Sequence, residues 1–149
     1  KASPDISRPV ALAELLWREG RVDDAVVIAS ALLHDTLEDT ETSPAELKGA
    51  FGAQIAAIVE EVTDVKWLDS KSRKRLQVAR AGRASQRAKL VKIADKICNL
   101  RDVAHNPPKD WSIERRREYF DWARSVIDGL RGPHPGLEAL FDAAYAARP

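Results

Sequence analysis

Apolar positions along this chain recur at intervals of three and four, and no stretch keeps the period-two alternation of a half-buried strand. Proline, glycine and small polar residues punctuate the pattern. Pro9 opens a helix through Val10, Leu12, Ala13, Leu15, Leu16 and Trp17, and Gly20 closes it. A second helix runs from residue 23 or 24 to about 37. Ser43, Pro44 and Glu46 read as a capped helix start that Gly52 ends. Further helices are predicted over residues 53–63, 71–81, 85–103 and 113–130, and a last one ends near Ala147. The turns between them are short, and neither an internal repeat nor a linker divides the chain. The expectation is an all-α fold of about seven or eight helices, one domain over residues 1–149.

One segment breaks the polar-surface, apolar-core rule. Residues 25–33 read Ala-Val-Val-Ile-Ala-Ser-Ala-Leu-Leu, apolar on every side of a helical wheel, which predicts a helix buried all round. His34, Asp35, Glu38 and Asp39 follow directly. Carboxylates at the end of a core helix are costly unless they are paired or hold a cation. On a continuing helix His34 and Glu38 share one face, and Asp35 and Asp39 another. Imidazole with carboxylates is also the ligand set of a divalent metal such as manganese, iron or zinc. The blander reading is a solvated acidic loop; the apolar lead-in and the extra Glu38 and Asp39 weigh against it.

A second segment supports the first. Leu90, Ile93, Ala94, Ile97 and Ala104 form an apolar stripe, while Lys92, Asp95 and Asn99 stand three and four apart on the other side. A solvated helix face would look the same. Arg101 falls within the apolar stripe and is expected to be ion-paired. The basic run Lys71, Arg73, Lys74, Arg75, with Arg80, Arg83 and Arg87, is either a phosphate-holding surface or an ordinary solvated face. Cys98 reads as a small core residue, and His105 and His134 as surface residues beside proline-rich turns.

Composition narrows the function classes. The 149 residues are 44% apolar and 32% charged, with a formal net charge of +1. That balance gives no global field for nucleic acid or a membrane surface. No apolar run reaches the length of a membrane span, and no signal-peptide pattern opens the chain. The lone Cys98 rules out an internal disulfide and suits a reducing compartment, so a cytoplasmic location is expected. There is no methionine, even at position 1, so part of the native N-terminus is expected to be missing. The expected partner is a small-molecule substrate; the oligomeric state is open.

The run from Ala31 to Thr40 resembles the HDxxED signature of the RelA/SpoT hydrolase domains, in the HD superfamily. The run from Lys92 to Arg101 resembles their second signature. Phe51-Gly52-Ala53-Gln54, Val59-Glu60-Glu61-Val62-Thr63-Asp64, Arg73-Lys74-Arg75-Leu76-Gln77 and Glu118-Tyr119-Phe120-Asp121-Trp122-Ala123 also match, in the right order. The likeness is nearest to the stand-alone small alarmone hydrolases of the metazoan SpoT homologue type. It implies an all-helical HD fold, one divalent metal, usually manganese, and hydrolysis of the 3′-pyrophosphate of ppGpp or pppGpp. By position it implies that His34, Asp35 and Asp95 are metal ligands and that Glu38 and Asp39 place and activate the attacking water. Asn99 would contact the nucleotide, with Thr63, Lys74 and Arg75 near the substrate.

The sequence departs from that family in two places. Where the family has a ligand histidine before a proline, the run 5–13 has Arg8, whose guanidinium offers no lone pair to a metal. The family's first helix and the basic loop after it have no counterpart in the chain. The leading expectation is an active alarmone hydrolase. The alternatives are a phosphohydrolase of another nucleotide such as NADPH, and a degenerate domain that binds alarmone or nucleotide without efficient hydrolysis.

Overall fold

A computed structural model describes residues 6–149; residues 1–5, which include the start of the run containing Arg8, lie outside the described residues. Among the described residues every regular element is helical, as the apolar periodicity predicts. Helix α1 (Ser7–Glu14) widens into a π-helical turn (Leu15–Glu19), followed by α2 (Ala25–Leu33), the single turn α3 (Thr36–Asp39), α4 (Pro44–Phe51) and α5 (Ala53–Val62). Then come α6 (Ser70–Arg80) with a 3₁₀ turn (Ala81–Arg83), α7 (Gln86–His105), α8 (Ile113–Asp128) and α9 (Pro135–Tyr145).

Side-chain caps set most of the helix starts. Asp24 accepts from the Val26 N–H at the head of α2, and Ser43 and Glu46 form a reciprocal capping box on α4. Asp69, Ser85 and Ser112 cap α6, α7 and α8 in the same way. Between α4 and α5 the chain turns at Gly52, whose φ of 94° lies in the region that favours glycine. His134, expected at the surface, instead joins two ends of the chain. Its Nδ1 accepts from the Leu137 N–H at 3.0 Å, and its Nε2 donates to the Gly20 carbonyl at 2.9 Å.

Helix α7 is the axis of the fold and packs against α1, α2, α5, α8 and α9. Ile93, Ala94, Ile97 and Leu100 on α7 meet Phe120 and Phe141, all six fully buried. Each of the larger side chains contributes about 1.5–3 kcal/mol by leaving water. Helix α2 lies against α1, α5 and α7, with Val27 and Ala31 sealed. It is not buried all round, because Leu32 is exposed on the side away from these contacts. Trp17, counted with the apolar stripe of the first helix, is also exposed, within the π-helical turn. The axial position of α7 brings Asp95 to the end of α2, where the acidic cluster begins.

Candidate active site

The helix that the sequence pattern continues to residue 37 ends at Leu33, and the cause is His34. Its Nδ1 donates to the Ala31 carbonyl at 2.7 Å, the group a continuing helix would offer to the Asp35 N–H. The chain turns through His34 and Asp35 and restarts as α3, with the Asp35 side chain making no capping bond of its own. This leaves the Asp35 carboxylate free to face the imidazole.

With Nδ1 occupied, Nε2 of His34 points at two carboxylates. It lies 3.1 Å from Asp35 Oδ1 and 3.6 Å from Asp95 Oδ1. The other Asp95 oxygen, Oδ2, is 3.4 Å from Lys96 Nζ and accepts from Asn99 Nδ2 at 3.3 Å. Asn99 Oδ1 in turn accepts from the Arg8 guanidinium. A chain of polar contacts thus runs from Arg8 through Asn99 and Asp95 to His34 and Asp35. Glu38 approaches from α3, and its Oε1 accepts from the Asp64 N–H at 2.7 Å. Gln77 Nε2 bridges both Asp64 oxygens at 3.0 Å and fixes that wall. These groups enclose a cavity of about 80 Å³, lined among others by His34, Asp35, Glu38, Asp64, Lys92 and Asp95.

The electrostatics follow from crowding three acids around one imidazole. Burial pushes the Asp35 and Glu38 carboxyls above their ordinary values, and neighbouring carboxylates add to the rise. Burial would lower His34, but the hydrogen bond and charge of Asp95, with the charge of Asp35, outweigh it and hold the ring's pKa above the usual value. Burial opposes ionisation of Asp95 too, and there the Lys96 charge and the His34 bond win and keep it well below the usual carboxylate range.

Among the described residues no group of three His, Cys, Asp or Glu side chains already surrounds one point at ligand spacing; His34 and the carboxylates contact one another directly. The donor set still fits a cation. A neutral His34 with its proton on Nδ1 presents a lone pair at Nε2 to two carboxylate oxygens, and three acceptors facing one another need a proton or a metal between them.

The other expected residues fall into two groups. Asn99 belongs to the network. Asp39 is exposed on α3 and does not line the cavity. Thr63 Oγ1 donates to the Val59 carbonyl at 2.6 Å at the end of α5, beside Asp64. Arg75 is exposed, 3.4 Å from Ser72 Oγ. Lys74 belongs to a separate trough of about 490 Å³, with its Nζ 5.6 Å from the Tyr119 ring centre and 5.3 Å from that of Trp122. That trough also holds Trp111 and Arg115, whose guanidinium stacks 4.5 Å over the indole. Trp122 links it to the acidic cavity, because Lys96 sits 4.5 Å over the same ring. Asp64, Gln77 and Lys96 were missed as site residues. Asp64 and Gln77 lie in the matched runs that end at Asp64 and Gln77, and Lys96 beside Asp95, so position beside a signature was the available signal.

Residues 1–121 match the HD domain family. The chain belongs to the HD-domain family. This HD domain is 49% identical over 148 residues to the guanosine-3′,5′-bis(diphosphate) 3′-pyrophosphohydrolase MESH1 of Homo sapiens, covering 99% of this chain and 83% of the relative. The protein of that name from Xenopus tropicalis is 49% identical over 140 residues, covering 94% of this chain and 78% of the relative. A solved structure of a metazoan orthologue of SpoT, which hydrolyses ppGpp and plays a role in starvation responses, superposes with a TM-score of 0.92 at 42% identity. That match covers 98% of this chain and 82% of the solved one. A Listeria monocytogenes protein of 24% identity shares the HD fold at a TM-score of 0.75, over 97% of this chain and 94% of its own. Among the described residues of this HD domain no helix is long and apolar enough to cross a membrane.

Proposed function

We propose that this HD domain is a divalent-metal-dependent hydrolase that removes the 3′-pyrophosphate of ppGpp or pppGpp, releasing GDP or GTP and pyrophosphate. The observation that carries the reading is His34 Nε2 set against Asp35 and Asp95, with Glu38 on the adjoining wall. The relatives that match nearly the whole chain bear the name of this activity.

His34, Asp35 and Asp95 would hold the metal, with manganese as the first candidate. When bound, the metal lowers the pKa of water and neutralises phosphoryl charge. Glu38 keeps one oxygen on the Asp64 N–H and has the other free to take a proton from the attacking water. The water oxygen bonds to the phosphorus next to the ribose, and the bond from that phosphorus to the 3′ oxygen breaks. The 3′ oxygen leaves as a hydroxyl by taking a proton from solvent, and Glu38 returns its proton to solvent. Asp39, exposed on α3 and outside the cavity lining, would assist from the solvent side. Asn99 would contact the nucleotide through whatever donor capacity its bond to Asp95 leaves. The rings of Trp111, Tyr119 and Trp122, with Lys74 and Arg115 over them, give a flat cationic surface suited to a nucleobase and its 5′-phosphates. Thr63 and Arg75 would lie at the edges of that path.

A second reading is a domain that binds nucleotide without efficient turnover, and Arg8 favours it. Its guanidinium joins the polar network through Asn99 and lowers the cost of the Asp35 and Asp95 charges without being able to ionise water. The test is parallel incubation of the purified protein and manganese with ppGpp, pppGpp and NADPH. The expected result is pyrophosphate from the two alarmones at the highest rates. Phosphate from NADPH alone would move the substrate class, and tight nucleotide binding with no product would establish the second reading.

A further inference from the structure

Two lysines of α7 line the acidic cavity, and they differ. Lys96 is buried and fully engaged, bonded to Asp95 Oδ2 and seated over the Trp122 ring. Lys92 is only 9% exposed, lines the same cavity, and among the described residues its ammonium has no hydrogen-bond or ion-pair partner. The charges it feels are mixed: Lys96 and Arg80 oppose it, while Asp64 and Asp95 favour it from beyond contact. The stem is buried and the ammonium opens onto the cavity, where a charge without a partner is disfavoured and an apolar side chain would avoid that cost. The same cavity holds another orphan, Gln77 Oε1, buried and without a partner while its amide nitrogen is held by Asp64.

Lys92 lies three residues before Asp95, so both side chains leave α7 on one face, one turn apart. The ammonium carries three donors and no acceptor. A ligand that satisfies it must bring several anionic oxygens next to the carboxylates of the metal set. A pyrophosphoryl group is such a ligand. We infer that Lys92 is the anion-binding residue of this cavity and holds oxygens of the pyrophosphoryl group in the substrate and in the released pyrophosphate. The identity of the anion rests on the hydrolase reading above; the existence of an anion site at Lys92 does not. Gln77 Oε1 then accepts from a water beside that group.

The rival is that Lys92 is structural, swinging onto Gln77 and Asp64 to support the wall. Replacement by methionine separates the two, because the expected changes in stability and binding have opposite signs. Inorganic pyrophosphate is titrated by calorimetry into the parent and Lys92→Met, with and without manganese at fixed free concentration, and each protein is melted without ligand. We expect Lys92→Met to bind pyrophosphate roughly tenfold or more weakly, the loss of one charge-assisted hydrogen bond, while its Tm stays level or rises. Should that variant not fold, Lys92→Gln is measured in its place. Equal pyrophosphate affinity in parent and variant, or a lower Tm with affinity retained, overturns the inference. A parent that turns over no ppGpp yet binds pyrophosphate through Lys92 would remove the hydrolase reading and leave this one standing.

Discussion

Two cavities are connected through the chain of contacts from Arg8 by Asn99 to Asp95, and the larger is not where the chemistry gathers. The larger, about 590 Å³, lies between α1 and α7 and is lined by Arg8, Glu14, Glu19, Cys98, Arg101 and Asp102 among others. The smaller, about 80 Å³, holds His34, Asp35, Glu38 and Asp95. In the larger, Arg101 is matched to Glu19 through two bonds of 2.9 and 3.0 Å, and burial pushes the Cys98 thiol up to about 11, too high for a nucleophile near neutral pH. In the smaller, the Nε2 of His34 faces two acids, and among the described residues a lysine ammonium and a buried amide oxygen have no partner. Volume measures room for a ligand. Unmet hydrogen-bonding and charge demand shows where a ligand changes the energy, and that measure favours the small cavity as the proposed site.

Substitutions in the two cavities should differ accordingly. The largest effect is expected for Asp95→Ala. It removes a proposed metal ligand, so manganese binding and ppGpp turnover should both fall below detection; unchanged manganese affinity by calorimetry would remove Asp95 from the ligand set. The same variant should also be less stable, because Lys96 and His34 lose their shared partner. The expected cost at pH 7 is about 3 kcal/mol or somewhat less for a partly exposed carboxylate. Asp95 ionises more readily folded than unfolded, so its contribution is present in full above the unfolded carboxylate value. The gap between parent and variant should therefore begin to narrow as pH falls below about 4, and close only as pH nears the much lower folded value. Melting curves at pH 7 and pH 3 check this.

Arg8→His should have an intermediate effect, since Arg8 lines the large cavity and reaches Asp95 of the small one only through its bond to Asn99. A histidine there offers the small cavity a lone pair in place of a fixed charge. Manganese affinity and ppGpp turnover should rise together by about tenfold, equivalent to about 1.4 kcal/mol. Tight manganese binding in the parent, unaltered by the substitution, would mean that another residue completes the ligand set. The smallest effect is expected for Glu19→Gln in the large cavity. Its pair with Arg101 is more than a third exposed on both sides, so the loss should stay within about 1 kcal/mol, with turnover unchanged. A tenfold fall in turnover there would erase the distinction between the cavities.

The same contrast explains what could be read from the sequence. Helices announce themselves by period and caps, and Ser43, Glu46 and Gly52 act as their residue types predict. His34, Asp35 and Glu38 stood out because an imidazole and acids directly after an apolar helix need a reason, whereas Asp95 lay on a polar strip that a solvated face would share. The break between α2 and α3 was not legible, because it depends on an imidazole taking the Ala31 carbonyl from the backbone, a choice that helical periodicity does not record. The partners Asp64 and Gln77 come from α5's end and α6, and only the fold brings them to Glu38. Lys92 was visible in the polar strip of α7, but its lack of a partner is a property of packing. His134 looked like a surface residue because its partner, the Gly20 carbonyl, lies 114 positions away.

The proposed hydrolysis of ppGpp at the small cavity requires Glu38 to take the proton from water. The most direct measurement is pyrophosphate release from ppGpp in manganese by the parent and by Glu38→Gln, with circular dichroism confirming that both are folded. Pyrophosphate and GDP are expected in equal amounts from the parent, with a rate lower by about 10²-fold or more in the variant, since glutamine keeps the shape and cannot accept the proton. Equal rates in the two proteins, or no pyrophosphate from a folded, manganese-loaded parent, would contradict it.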